Sequence, residues 1–123
     1  MSINLEKIIP NQDQIERLFI QLKKRQYSIS HKKTPSFSLH SSFVKNLPYR
    51  VWFIIKINKL DCGNIYVQYD NSIGLNCCDE LCSEEIREVL DYVTSKVKPL
   101  KFKPSIRSKN FFLNVASTNI DLQ

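Results

Sequence analysis

The sequence predicts a single α+β domain, and three observations support this prediction. The chain has 123 residues, a length that one hydrophobic core accommodates. Its composition, 42% hydrophobic and 24% charged residues, is that of a folded globular protein and excludes intrinsic disorder. Strand patterns and helical periodicity follow one another in the order β-α-α-β-β-β-α-β. No internal repeat or flexible linker divides the sequence, so residues 1–123 are expected to form one domain.

The first two predicted elements are a short strand over residues 3–9 and a helix that runs to about residue 26. Apolar residues of the helix recur at the spacing of one buried face, namely at Ile15, Leu18, Phe19 and Leu22. Asn11, followed three residues later by Gln14, predicts a capping box at the start of this helix. Residues 27–35 are expected to form a loop.

A second, shorter helix is predicted over residues 37–46. Ser36 is its expected N-cap, and Pro48 prevents it from continuing. An apolar stripe is expected to face the core and consists of Leu39, His40, Phe43, Val44 and Leu47. The β-branched and aromatic residues at 50–57 predict a central strand after this helix.

Three further strands are expected, over residues 64–69, 73–78 and 111–115. The most regular helix of the sequence precedes the last of them, over residues 83–97. Ser83 is its expected N-cap, and Glu84 and Glu85 lie where the helix dipole favours acidic side chains. Residues 116–123 follow the last predicted strand.

The net charge of +6 is distributed unevenly along the chain. Residues 1–60 contain eleven basic and three acidic residues, whereas residues 61–123 contain seven and nine. Such a basic surface attracts polyanions, among them nucleic acid, a nucleotide-bearing cofactor or an acidic substrate. A solvated basic surface without a dedicated partner is the simpler interpretation.

Neither the cysteines nor the histidines form a pattern typical of a metal site. Cys77, Cys78 and Cys82 contain no CxxC pair, and His31 and His40 lie at no recognisable ligand spacing. We therefore expect no metal, and we expect His40 to pack in the core. Because the sequence shows neither a leader nor a membrane span, we expect a cytoplasmic protein that contacts no membrane and keeps its thiols reduced.

Segments spread over almost the whole chain share their order and their residues with one known family. They are LEKI (5–8), SLHSSFV (38–44), PYRVWFII (48–55), GNIYV (63–67), NSIGL (71–75) and FLNVA (112–116), with Asn119 after the last of them. As an ordered set, these segments resemble the GNAT superfamily of N-acetyltransferases.

The resemblance implies a mixed sheet with helices on both faces, splayed between strands 4 and 5, with acetyl-CoA or another acyl-CoA bound in the gap. It implies that main-chain amides near Leu75, Asn76 and Cys77 hold the thioester carbonyl, as an oxyanion hole does. Ser83 and Asn119 are the other residues expected to bind the cofactor, and no side chain is assigned a catalytic role. The implied acceptor is a primary amine, on a small molecule such as an amino sugar or on the N-terminus of a peptide or protein.

Two features depart from the family pattern. Where the family carries a glycine-containing phosphate loop, residues 78–84 read CDELCSE, with three acids and no glycine. Like charges at this position weaken binding of the CoA phosphates. We also expect no counterpart of the usual C-terminal helix and last strands. Strand 5 would then have an exposed edge, which a homodimer partner would cover.

The sequence therefore leaves two classes of function open. One is an acyl-CoA-dependent N-acyltransferase, and the other is a catalytically inactive GNAT-fold binding or assembly module, which the acidic loop favours. A nucleic-acid-binding role would rest on the basic charge alone.

Overall fold

The computed structural model describes residues 3–24, 35–77, 81–101, 110–115 and 118–121, and it confirms the predicted α+β class. One six-stranded mixed sheet and three helices are present in these residues. The elements are β1 (Ile3–Lys7), α1 (Gln12–Lys24), α2 (Phe37–Lys45), β2 (Val51–Ile57), β3 (Leu60–Val67), β4 (Ser72–Cys77), α3 (Ser83–Lys96), β5 (Phe112–Val115) and β6 (Thr118–Asp121). In this described part of the chain, none of the helices has the length and apolar character needed to span a bilayer.

The strands lie side by side in the order in which they occur in the sequence. Neighbours from β1 to β4 pair antiparallel, β4 and β5 pair parallel, and β5 and β6 pair antiparallel. Helix α3 lies in the connection between the two parallel strands. Such a connection must return the chain to the end of the sheet at which β4 began, and a tight turn is too short to do this.

Strand β6 corrects the expectation that β5 has an exposed edge. It pairs with β5 from Thr118, opposite Val115, to Asp121, opposite Phe112. The edge that a homodimer partner was expected to cover is therefore occupied by the same chain. The sequence pattern missed β6 because this strand has four residues, of which only Ile120 is apolar.

Two hydrophobic clusters pack against the sheet. The first contains Phe53 of β2 and residues of three other strands, together with Val89 and Val93 of α3. The second contains Trp52 and Ile54 of β2, together with residues of α1 and α2. Consecutive residues of a strand point in opposite directions, and Trp52 and Phe53 accordingly belong to different clusters. Both clusters share the sheet, so the described residues form one folded unit.

The predicted N-caps of the first two helices are confirmed. Asn11 Oδ1 accepts a hydrogen bond from the Gln14 N–H at 2.8 Å, and Ser36 Oγ accepts one from the Leu39 N–H at 3.2 Å. The Gln14 side chain does not complete the capping box at α1. Its Oε1 instead accepts the Ile9 N–H at 2.7 Å, which joins the start of α1 to the end of β1.

The predicted N-cap of α3 is wrong by one residue. Ser83 is the first helical residue, and Cys82 occupies the N-cap position. The Glu85 carboxylate accepts a hydrogen bond from the Cys82 N–H at 2.9 Å. One of the main-chain N–H groups that a helix start leaves unpaired therefore has a partner. That hydrogen bond lowers the pKa of Glu85 from its ordinary value of 4.5.

The apolar stripe predicted for α2 is buried only in part. His40 and Val44, one helical turn apart, are buried as predicted. Leu39 is 67% exposed, Phe43 46% and Leu47 45%, so these three do not belong to the core. The helix has nine residues and packs through a single line of side chains, and its Leu39 and Phe43 border a cleft instead.

Candidate functional site

An apolar cleft of about 410 Å³ lies between helices α1 and α2 and the sheet. The helices contribute Leu18, Leu39 and His40 to its lining, and the sheet contributes Trp52, Asn64 and Asn76. Apolar walls with a few converging polar groups, in a cavity of this size, are typical of small-molecule sites. We therefore take this cleft as the candidate functional site.

Aromatic rings form one wall of the cleft. The rings of Tyr49 and Tyr66 are stacked, with 3.8 Å between their centroids and 12° between their planes. Trp52 meets Tyr49 edge-on at 4.9 Å, and Phe43 meets Trp52 edge-on at 6.1 Å. Each ring is held by its neighbours, so this wall presents a fixed apolar surface to a ligand.

Gly74 of β4 provides the space that the Tyr66 ring occupies. A Cβ atom at residue 74 would overlap Tyr66 Cζ, well inside van der Waals contact. Any side chain at Gly74 would displace the Tyr66 ring and with it the stacked Tyr49. The glycine is thus needed for the close approach of a ring, and the aromatic wall depends on it.

A chain of hydrogen-bonded amides lies behind the cleft. Asn64 Oδ1 accepts hydrogen bonds from Trp52 Nε1 at 3.0 Å and from Asn76 Nδ2 at 3.3 Å. The Asn64 Nδ2 group donates to Gln21 Oε1 at 2.9 Å. The two donors to Asn64 Oδ1 fix the orientation of the Asn64 amide, and this in turn fixes the orientation of Gln21. A ligand in the cleft therefore meets the preoriented amides of Asn64 and Asn76.

His40 is both a core residue, as predicted, and a lining residue of the cleft. Its side chain is 6% exposed, and its Nε2 lies 2.9 Å from the Ile15 carbonyl oxygen. A carbonyl oxygen only accepts, so Nε2 carries a proton and donates it to Ile15; in the uncharged form of the ring, Nδ1 is the atom with the free lone pair. Within the described residues Nδ1 has no hydrogen-bond partner, and it is the group of the cleft best suited to accept a proton from a ligand.

The predicted cofactor-binding residues Leu75, Asn76 and Cys77 lie together on the second half of β4, where all three are half-buried. The pairs between β4 and β5 run from Ser72 opposite Phe112 to Gly74 opposite Asn114. Pairing between β4 and β3 continues farther, to Cys77. The expected divergence of strands 4 and 5 would begin after Gly74.

The strand register corrects the role expected of the Asn76 main-chain amide, which was predicted to help hold the thioester carbonyl. The Ser72 carbonyl accepts a hydrogen bond from the Gln68 N–H at 2.9 Å, and such bonds recur at every second residue of an antiparallel strand. The main-chain groups of Asn76 therefore face β3, and those of Leu75 face β5. Asn76 contributes to the site through its side chain instead, since that side chain lines the cleft.

The two remaining predicted residues lie away from the cleft lining. Ser83 is exposed at the first position of α3. Asn119 lies in β6, where its backbone pairs with Asn114 of β5. Most of the acidic segment between β4 and α3, including Cys78, falls outside the described residues.

An ion-pair cluster around Arg17 joins α1 to β1 and β3. Arg17 Nε and Nη2 each donate to an Asp61 carboxylate oxygen at 2.8 Å, and Nη1 donates to Glu6 at 2.8 Å and to Asp13 at 2.9 Å. These carboxylates, with Asp61 contributing most, raise the pKa of Arg17. The hydrogen bonds from Arg17 and then from Gln14 hold the pKa of Glu6 below its ordinary value of 4.5.

A β-bulge directs Asp61 towards this cluster. The register between β2 and β3 shifts between Ile55 and Lys56, so that Lys56 lies opposite Asp61. The extra residue, Cys62, packs into the hydrophobic cluster that contains Ile55. A bulge re-aims the side chains that follow it, and here the carboxylate reaches Arg17.

The thiols and acids form no metal centre in the part of the chain that the structure describes. Cys62 is buried, Cys77 is half-buried and Cys82 is exposed. No group of three or more histidine, cysteine, aspartate or glutamate side chains in these residues is arranged to hold a metal ion.

Comparisons with known proteins give no significant match to a protein-family model, to a curated protein or to a solved structure.

Sequence reasoning missed two residues behind the cleft, Gln21 and Asn64, and it assigned His40 to the core in preference to a role as a general base. Asn64 carries a usable signal, because it is an amide in the middle of a strand of apolar residues and must find buried partners. Gln21 carries none, since its partner lies 43 residues away in the sequence.

Proposed function

We propose that this chain is an N-acyltransferase of the GNAT type, which transfers an acyl group to a primary amine bound in the cleft. The supporting observation is the second half of β4. There the strand extends beyond its pairs with β5, and the Asn76 side chain lines the cleft. In the proposed fold type, α3 covers one face of the sheet and α1 and α2 cover the other. A thioester between β4 and β5 would then adjoin an amine in the cleft.

An acyl-CoA, such as acetyl-CoA, supplies the activated thioester for this reaction. The main-chain amide of Leu75, on the β5 side of β4, is the proposed donor to the acyl oxygen, where negative charge develops in the transition state. Ser83 and Asn119 remain proposed contacts of the cofactor. The aromatic wall excludes water and holds the apolar part of the acceptor.

The proposed role of His40 is to accept the proton of the attacking amine. The amine nitrogen bonds to the acyl carbon while the carbon–sulfur bond breaks, and the proton of the amine moves to His40 Nδ1. The hydrogen bond from Nε2 to the Ile15 carbonyl keeps the ring in the required tautomer and stabilises the charged ring that forms. The Asn64 and Asn76 amides orient the polar part of the acceptor.

A panel of primary amines, including glucosamine and short peptides, tests this proposal with acetyl-CoA and mass-spectrometric detection of the acetylated product. The informative variant is His40→Gln, because a glutamine amide still donates to the Ile15 carbonyl but offers no base. We expect turnover to fall by about 100-fold or more, with little change in the melting temperature. An Asn76→Ala control should raise KM and leave kcat nearly unchanged. Turnover of His40→Gln within twofold of the wild type would exclude the assigned proton acceptor.

The N-terminus of α3 favours a second candidate, a non-catalytic binding module on the same scaffold. Its two first-turn acids, Glu84 and Glu85, oppose a diphosphate, and the Glu85 carboxylate already accepts the Cys82 N–H. Like charge at this helix end therefore weakens binding of the CoA diphosphate, which favours the module. Thermal-shift measurements separate the candidates: a melting temperature that rises with acetyl-CoA concentration supports the enzyme, whereas a rise with amines alone supports the module.

A further inference from the structure

A second cleft, of about 430 Å³, lies between α1 and the β2–β3 hairpin. Its charged lining comprises four bases and one acid, Arg17, Lys24, Lys56, Lys59 and Asp61. This cleft is separate from the aromatic cleft, and ligand binding in it does not depend on the proposed acyl transfer.

The basic side chains of this cleft outnumber the acidic side chains that could neutralise them. Both Asp61 oxygens are engaged by Arg17, and Lys56 lies 3.8 Å from Glu6. Lys24 and Lys59 form no salt bridge with the residues that the structure describes. Two exposed ammonium groups therefore border the cleft without a carboxylate partner, and their charge favours an anionic ligand.

Gln21, one of the residues that line the same cleft, also carries a buried side-chain donor without a partner. Gln21 is 2% exposed, and its Nε2 has no acceptor among the described residues. Reversing the amide would not repair this, because Gln21 Oε1 is needed to accept the hydrogen bond from Asn64. Buried donors are rarely left unpaired in native structures, and an acceptor oxygen supplied by a ligand would satisfy this one.

Lys59 occupies a backbone position that a lysine adopts at a cost. The hairpin turn consists of Asn58 and Lys59, with φ values of 51° and 70°, and β3 begins at Leu60, before the strand predicted over residues 64–69. Two-residue turns with both φ angles positive favour glycine at the second position. Glycine would fit this backbone better, so the lysine carries a backbone cost, and such strain is concentrated at ligand sites.

We propose that the cleft between α1 and the β2–β3 hairpin binds a phosphate group, with Lys24 and Lys59 as its counter-charges and Gln21 Nε2 as a hydrogen-bond donor. A phosphate monoester dianion offers several acceptor oxygens, enough for two ammonium groups and one amide together. The exposed side chains of Ile20 and Leu60 at the same cleft would contact the organic part of the ligand. The ligand class is a small phosphate ester.

Nuclear magnetic resonance tests this proposal with sodium phosphate as the probe, titrated against sodium chloride and sodium acetate at equal ionic strength. The Gln21 side-chain amide signals are identified as the pair that is missing in Gln21→Glu, a variant that keeps the oxygen bonded to Asn64. We expect these signals to move saturably with phosphate and not with chloride. Equal or tighter binding of acetate would overturn the assignment to phosphate.

Lys59→Gly is the decisive variant. It removes the backbone strain of the turn, and it also removes one counter-charge of the proposed phosphate. We expect its melting temperature to equal or exceed that of the wild type, while the phosphate dissociation constant rises at least fivefold. Lys45→Glu, a charge reversal at an exposed residue of α2, is the matched control and should change that constant by less than twofold. Equal losses in both variants would mean nonspecific attraction to a basic surface and would refute the site.

Discussion

Single residues shape the aromatic cleft through contacts that local sequence does not reveal. Gly74 leaves the space filled by the Tyr66 ring, and the donor role of His40 Nε2 follows from one hydrogen bond to the Ile15 carbonyl. Tyr66 lies opposite Gly74 on the neighbouring strand, and Ile15 lies 25 residues from His40 on another helix. Substitutions at such positions therefore affect the site without changing the fold class.

Replacement of Gly74 by alanine tests the packing of the aromatic wall. The new methyl group forces the Tyr66 ring away from Tyr49, and we expect the free energy of unfolding to fall by about 2 kcal/mol. Urea unfolding measures this change, and near-ultraviolet circular dichroism reports the loss of ring order. Ser72→Ala is a control on the same strand. It removes a buried hydroxyl without a partner in the described residues, so stability should be unchanged or slightly higher.

At the scale of elements, polar side chains of α1 join this helix to the sheet. Arg17 joins α1 to β1 and β3, and Gln14 joins α1 to the end of β1. These contacts fix the position of α1, on which both clefts depend. Their contribution changes with pH, because carboxylates are involved.

Glu6→Gln tests this dependence. The pKa of Glu6 is lowered in the folded state, so its ion pair adds stability above the ordinary pKa of 4.5, and this stability is lost as the pH falls through the lower folded value. We expect the variant to be about 1 kcal/mol less stable than the wild type at pH 6 and nearly equal at pH 3. Urea unfolding at both values measures the difference.

Glu88→Gln provides the matched control for the acid series. Glu88 is exposed on α3 and makes no side-chain hydrogen bond within the described residues. Its substitution should leave the pH dependence of unfolding as in the wild type. A Glu6→Gln curve that stays parallel to the wild-type curve from pH 6 to pH 3 would contradict the assigned role of the Arg17–Glu6 pair.

The turn between β2 and β3 offers a further test at this scale. Lys59 has a φ of 70°, and glycine adopts this conformation without steric cost. We expect Lys59→Gly to raise the free energy of unfolding by about 0.5 to 1 kcal/mol in phosphate-free buffer. Thermal or urea unfolding measures it, and a loss of stability would show that the lysine side chain holds the hairpin in place.

At the scale of the whole molecule, Asn71 connects segments that are far apart in the chain. Its Nδ2 donates to the Leu100 carbonyl and its Oδ1 accepts the Leu100 N–H, both at 2.8 Å. Its main-chain oxygen accepts the Phe112 N–H at 3.2 Å. The turn before β4 is thus tied to the segment after α3 and to the start of β5, which sets where the two parallel strands begin to pair.

Asn71→Asp retains the size of the side chain and replaces its donor with a second acceptor. The carboxylate would face the Leu100 carbonyl in a fully buried position, so we expect a loss of about 3 kcal/mol in unfolding free energy. Asn46→Asp, at an exposed residue after α2, is the control and should change stability by less than about 0.5 kcal/mol. Equal effects in the two variants would show that Asn71 does not organise this junction.

Local sequence was sufficient to predict the α+β class, eight of the nine elements, and the caps at Asn11 and Ser36. Periodicity and capping depend on residues within one helical turn or one strand, so a local pattern suffices. Strand β6 was missed, since it has four residues and one apolar side chain.

Only the folded structure shows which side chains meet in the two clefts. Gln21 reaches Asn64 across 43 residues, and Arg17 reaches Asp61 across 44. The β-bulge that directs Asp61 depends on the pairing of two strands, which no single segment encodes. Sequence patterns within one segment do not predict these contacts, because burial, ring stacking and ion pairing arise between elements. Each helix or strand, in contrast, forms from interactions within its own segment.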